Sequence, residues 1–193
     1  MWMGCTGWYR GDPLFTSACN LNSHSPRILV VMGVSGCGKS TVAVTLAKKL
    51  GWVFAEGDDF HPPANIAKMR SGYPLNDNDR IPWLDSIAAW IDARLHNGET
   101  GIVTCSALKH SYRAILARGR PEVLFVYLQG TLKTVSAHLE GRIGHFMPAS
   151  LLSTQFEVLE EPSADERYIA VDAAKPVPAI IKEIGAYLNG VEQ

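Results

Sequence analysis

The stretch "VVMGVSGCGKST", residues 30–41, passes from a β-branched apolar run through a glycine-rich turn into a lysine and two hydroxyl residues. Gly33, Gly38, Lys39 and Ser40 fill the pattern G-x-x-x-x-G-K-[ST] between a predicted strand and a predicted helix, the context in which it forms a phosphate-binding loop, or P-loop. Its glycines let the backbone N–H groups along Gly33, Val34, Ser35, Gly36, Cys37 and Gly38 turn inward. A helix beginning near Lys39 points the positive end of its dipole at the same place. Lys39 is then placed to reach the β and γ phosphates of a nucleotide, and the Ser40 hydroxyl to ligate its magnesium, with Thr41 closing the nucleotide-binding segment.

Outward from this loop, short β-branched runs alternate with longer amphipathic ones. Strands are predicted at 27–32, 52–55, 101–106, 123–128 and 167–171. Helices are predicted at 39–50, 63–71, 82–97, 109–118, 131–142, 148–159 and 176–189, several opened by Pro or Thr and closed near Gly. Strands separated by helices imply a parallel sheet covered on both faces, so the expected class is α/β: a three-layer P-loop NTPase fold with a five-stranded parallel sheet and a helical lid. At 193 residues and 47% hydrophobic content the chain suits a single domain, expected over 26–190. Residues 1–25 mix Gly, Ser, Asn and Pro with scattered aromatics and show no period, and are read as an N-terminal extension.

Composition excludes several classes. A net charge of −1 offers no general attraction to nucleic acid or to an anionic membrane, so any anion must be held locally. No apolar run approaches the roughly 18 residues of a membrane span. Cys5, Cys19, Cys37 and Cys105 lack the spacing of a zinc site or a redox pair, and read as reduced thiols of a cytoplasmic protein. Cys37 lies inside the phosphate loop, where oxidation is expected to affect activity.

A P-loop alone does not separate a kinase from a switch or a motor. The D-x-x-G and N/T-K-x-D patterns of a GTP switch occur nowhere in the chain, and the runs 101–106 and 123–128 do not end in the acid of a motor ATPase. The run 52–55 does lead into acids: "AEGDDFHPPANIAKM", residues 55–69. Glu56 and Asp58 leave the sheet at its carboxyl end, beside the phosphate cradle, where a carboxylate can hold a magnesium-bound water or orient a substrate hydroxyl. Asp58 is expected to serve function and Asp59 to start the following helix, while His61 either contacts substrate or steadies the loop. Asp77 and Asp79 are read as structural, positioning Arg80 or capping a helix that starts near Pro82.

"MGVSGCGKST" (32–41), "GDDFHPPANIAKMRSGYPLNDNDRIPWL" (57–84), "CSALKHSYR" (105–113) and "GHFMPASLLSTQFEVLEEP" (144–162) together resemble the P-loop gluconokinases, relatives of shikimate kinase. The resemblance implies transfer of the ATP γ-phosphate to the 6-hydroxyl of D-gluconate, with Mg²⁺ as cofactor and a homodimer as the assembly. Glu56 departs from it, standing where relatives carry Asp in D-x-D. A polyol carboxylate needs cations and hydrogen-bonding groups, for which Arg70, Arg80, Lys109 and Arg113 are the candidates beside Asp58 and His61. Residues 138–160 have the organisation of a lid, with glycines at 141 and 144 and a helix opened by Pro148. Arg142 is the expected cation for the transferring phosphoryl group, and His145 an expected substrate contact. The alternatives are another small-molecule kinase of this fold, acting on shikimate or a nucleotide, and a nucleotide-binding regulator without catalysis.

Overall fold

The computed structural model describes residues 26–140 and 149–190. Strand β1 (Ile28–Met32) is buried along its whole length, and its alternate side chains enter two separate cores. Leu29 and Val31 face one helical layer, whereas Ile28, Val30 and Met32 face the other, as the period of two requires. The remaining strands are β2 (Val53–Ala55), β3 (Gly101–Thr104), β4 (Val123–Gln129) and β5 (Tyr168–Asp172). They form one parallel sheet in the order β2-β3-β1-β4-β5, with Val30 opposite both Val103 and Phe125.

Helix α1 (Lys39–Leu50) and α7 (Val177–Leu188) cover the first face through Val42, Leu46, Ile180 and Ile184. Helix α3 (Asp77–His96) and α4 (His110–Ala117) cover the second through Trp83, Leu84, Ile87, Ile91 and Leu116. Helices α2 (Pro63–Arg70), α5 (Leu132–Glu140) and α6 (Ala149–Glu157) complete the set, α6 entering the first core through Leu152. All five predicted strands and seven predicted helices are present, within one or two residues at most ends.

The exception is the start of α3. It begins at Asp77 rather than near Pro82, because Asn76 and Asp79 form a reciprocal capping box: Asp79 N donates to Asn76 Oδ1 at 2.9 Å and Asn76 N to Asp79 Oδ2 at 2.8 Å. Two satisfied N–H groups set the boundary, and Pro82 lies inside the helix. Of the expected lid, Gly141, Gly144 and Pro148 lie outside the described residues, as does the extension 1–25.

Candidate active site

The parallel sheet brings the ends of β1, β2 and β3 to one edge, where the glycine-rich loop and the acids that follow β2 leave it. Gly33 has φ 138°. A Cβ on it would lie 2.9 Å from both the Leu128 carbonyl oxygen and Cys37 Sγ, so neither the backbone angle nor the space admits a side chain. Gly38, at φ 97°, caps α1 without a side-chain hydrogen bond, leaving the first-turn N–H groups of the helix for a ligand. Lys39 folds back over the loop, its Nζ donating to the carbonyls of Gly33 at 3.1 Å and Val34 at 3.0 Å. Ser35 N donates to Gln155 Oε1 at 2.7 Å, a bond reaching from α6. Beneath the loop Cys37 is buried, and burial pushes its thiol pKa up against the opposing charge of Lys39. That corrects the expectation of an oxidation-sensitive cysteine: the thiol is both covered and protonated.

At the next strand end, the close approach of two chains decides the geometry. Gly57 sits so near β3 that a Cβ would fall 1.8 Å from the Thr104 carbonyl oxygen. Its N–H donates to Thr104 Oγ1 at 2.9 Å, and that hydroxyl in turn donates to Glu56 Oε1. Thr104 therefore aims the Glu56 carboxylate. Residues Gly57–Phe60 form a 3₁₀ turn, which leaves Asp58 and Asp59 exposed. Among the described residues the Asp58 carboxylate has no hydrogen-bond or ion-pair partner. Asp59 does not start α2 as expected, since the residue before that helix is Pro62 and no side chain caps it.

His61 is buried and stacked on Trp83, with ring centroids 4.3 Å apart and planes at 14°. Trp83 Nε1 donates to the Gly57 carbonyl at 2.7 Å, and Asn65 Nδ2 lies 3.4 Å from His61 Nδ1 while donating to the Asp79 carbonyl at 2.7 Å. Burial lowers the His61 pKa; the Arg80 charge lowers it further, and Asp58 opposes. The ring is thus held by Trp83 and Asn65 beside Asp58, in a setting that favours its neutral form.

The four candidate cations separate sharply. Arg113 is 1% exposed, with Nε and Nη2 on the Glu166 carboxylate at 2.5 and 2.9 Å and Nη1 on the carbonyls of Ala107 and Glu160 at 3.0 and 2.8 Å. This reassigns Arg113 from substrate binding to structure: every guanidinium nitrogen is engaged inside the protein. It clamps the 105–109 loop, including Ala107 at φ 45°, to the chain that follows α6. Lys109 grips both oxygens of Asp77 at 2.9 and 2.8 Å, and Tyr112 shares that acid at 2.5 Å. Arg70 is exposed at the end of α2. Arg80 is half-buried, and among the described residues its guanidinium has no hydrogen-bond or ion-pair partner. Lys39, Asp58 and Arg80 all act electrostatically on one buried thiol, that of Cys105, whose pKa burial lifts to about 12. Lys39 thus lies near the end of β3 together with Asp58 and Arg80, whose side chains have no hydrogen-bond or ion-pair partner among the described residues.

The chain as a whole is similar to a set of known proteins. No protein-family model matches the chain. Gluconokinase of Gluconobacter oxydans is 47% identical to it, over 82% of this chain and 89% of its own. Thermoresistant gluconokinase of Escherichia coli is 43% identical, over 82% and 91%. The chain belongs to the gluconokinase family. Among solved structures, a gluconokinase from Sinorhizobium meliloti shares 47% identity with a TM-score of 0.76, covering 87% of this chain and 94% of that one. Shikimate kinase from Aquifex aeolicus, at 16% identity and a TM-score of 0.54, shares the fold alone.

Of the site residues expected from the sequence, Arg142 and His145 lie outside the described residues. Among the described residues no group of three or more His, Cys, Asp or Glu side chains could hold a metal by itself. Thr104, Asn65, Trp83 and Gln155 were not singled out by sequence. Thr104 ends a strand as its only hydroxyl, a usable signal; Gln155 carries none, because its partner is 120 residues away.

Proposed function

We infer that this chain is an ATP-dependent gluconokinase that phosphorylates D-gluconate on its 6-hydroxyl, giving 6-phospho-D-gluconate and ADP. The observation that carries the reading is that the loop holding Lys39 and the turn holding Asp58 leave the same edge of the sheet, that Trp83 ties the start of α3, with Arg80, to this turn, and that among the described residues the Asp58 and Arg80 side chains have no hydrogen-bond or ion-pair partner. Nucleotide phosphates bind the loop from Gly33 to Thr41, where α1 supplies N–H donors and Lys39 exchanges its two loop carbonyls for β/γ oxygens. Arg80 takes the substrate carboxylate, leaving the far end of the polyol at Asp58, with His61 as a neutral neighbour.

Asp58 orients the 6-hydroxyl and accepts its proton as the hydroxyl oxygen bonds to the γ-phosphorus. The bond from that phosphorus to the β–γ bridging oxygen breaks, and its electron pair leaves on ADP. Ser40 and the Glu56 carboxylate, which Thr104 engages only at Oε1, are oxygen donors suited to Mg²⁺ and its waters. Mg²⁺ arriving with ATP supplies neutralisation of the β/γ oxygens. Arg142 and His145 keep the roles proposed from the sequence, in the part of the expected lid over 138–160 that precedes α6, since α6 itself packs into the first core through Leu152. Buried, unpaired thiols at Cys37 and Cys105 support a cytoplasmic setting, and the family resemblance supports a homodimer, which sedimentation of the purified chain checks. The test of the function is ADP release and 6-phosphogluconate formation with ATP, Mg²⁺ and gluconate. Turnover with shikimate or a nucleoside monophosphate instead would overturn the acceptor.

A further inference from the structure

The bond from Ser35 N to Gln155 Oε1 joins the phosphate loop to a helix that the motif does not include. We propose that Gln155 is a positioning residue for nucleotide binding: its amide oxygen holds the outer arm of the phosphate loop so that the remaining N–H groups face the phosphates. The hydrogen bonds of the loop show why such a holder is needed. Gly33 N donates to Ser106 O and Cys37 N to Val34 O, and these fix the root and the inner turn. At Ser35, between them, the N–H goes to Gln155. A partly exposed glycine, Gly36 at φ 83°, follows at once, and to the turn that Cys37 N closes on Val34 O the Gln155 bond adds a tie reaching outside the loop.

Gln155 can do this because its own helix is fixed. Leu152 is 1% exposed in the core shared with α1 and the sheet, and Phe156 packs against the same cluster. Beyond α6, Glu160 is tied three times to α4 and the loop before it: its N–H donates to Leu108 O at 2.8 Å, its carboxylate accepts from His110 N at 2.6 Å, and its carbonyl accepts from Arg113. The buried Arg113–Glu166 pair thus anchors the end of α6 to the body, and Gln155 transmits that anchorage to the loop. An amide suits the position better than an acid. Glutamate reaches equally far and accepts the same N–H, but sets a negative charge beside bound phosphates.

This proposal rests on the P-loop reading of nucleotide binding and is independent of the acceptor. The test is calorimetric titration of full-length wild type, Gln155→Leu and Gln155→Glu with Mg-ATP at low and high salt, beside thermal melts. Leucine removes the acceptor and is expected to weaken ATP about tenfold, one hydrogen bond's worth, without lowering the melting temperature correspondingly. Glutamate is expected to keep the melting temperature and weaken ATP at least as much, with the loss shrinking as salt rises. ATP affinity within twofold of wild type in both variants overturns the proposal, as does a glutamate loss that salt leaves unchanged. A wild type that binds ATP but does not phosphorylate gluconate instead overturns the acceptor assignment, and the comparison of affinities still stands.

Discussion

Asp58 is the side chain on which the proposed chemistry turns, and its exposure without a partner among the described residues is what a substrate-facing base needs before the hydroxyl arrives. Asp58→Asn keeps the shape and removes the proton acceptor. Turnover is expected to fall by about 10² to 10⁴ with ATP affinity nearly unchanged, and near-normal turnover in steady-state assays would remove the role. Arg80→Ala tests the choice among cations: the KM for gluconate is expected to rise about 10- to 100-fold, the range of a charge-assisted hydrogen bond, with the KM for ATP little moved. An equal effect from Lys109→Ala and none from Arg80→Ala would shift the carboxylate site. His61 is expected to titrate below its ordinary value of 6.5, because burial and Arg80 both disfavour the cation; an NMR midpoint above 6.5 contradicts that environment. The acid at 58 was legible from its place after a strand. The fate of Arg113 was not, since a matching motif block shows that an arginine is needed and leaves open whether it meets substrate or Glu166.

Between elements, two contacts set the site. Where β2 runs into the 3₁₀ turn, Gly57 touches the end of β3, and Gly57→Ala forces a Cβ into the Thr104 carbonyl. Overpacking of this kind typically costs about 1–3 kcal/mol, and here it also displaces Glu56 and Asp58, so denaturation midpoint and turnover should both fall. The second contact is Arg113–Glu166, between α4 and the approach to β5. Burial would raise the Glu166 pKa, but hydrogen bonds from Arg113 and Ser163 N, the Arg113 charge and His110 outweigh it and hold it at about 2, against an ordinary 4.5. A carboxylate depressed by folding contributes its full stability above about pH 4.5 and loses it as pH falls toward about 2. Glu166→Gln leaves a buried guanidinium without its counter-charge and is expected to cost about 3 kcal/mol at pH 7. Denaturant titrations should show that gap closing below pH 4.5; a gap of the same size at pH 7 and pH 2.5 contradicts the pairing. Element boundaries followed from periodicity and caps, yet Asn76 outranking Pro82 as the start of α3 depends on which of two valid signals finds its partner. Contacts such as Gln155 to Ser35 depend on how α6 lies over the loop, which no local pattern encodes.

For the whole molecule, the alternation of apolar runs and amphipathic helices was enough to imply the three layers, because the central strands β1, β3 and β4 are buried on both faces, although the edge strands β2 and β5 are not. The strand order was not legible. It places β1 between β3 and β4, and so sets the phosphate loop beside the ends of β2 and β3 where the acids emerge. That order makes one site of residues scattered from Gly33 to Arg80, and it is shared with kinases of other acceptors at low identity. The acceptor is therefore the central claim, and an ADP-release assay with ATP and Mg²⁺ across gluconate, shikimate and nucleoside monophosphates tests it most directly. The account predicts ADP release with gluconate alone, matched by 6-phosphogluconate; release with another acceptor in its place, or with none, would contradict it.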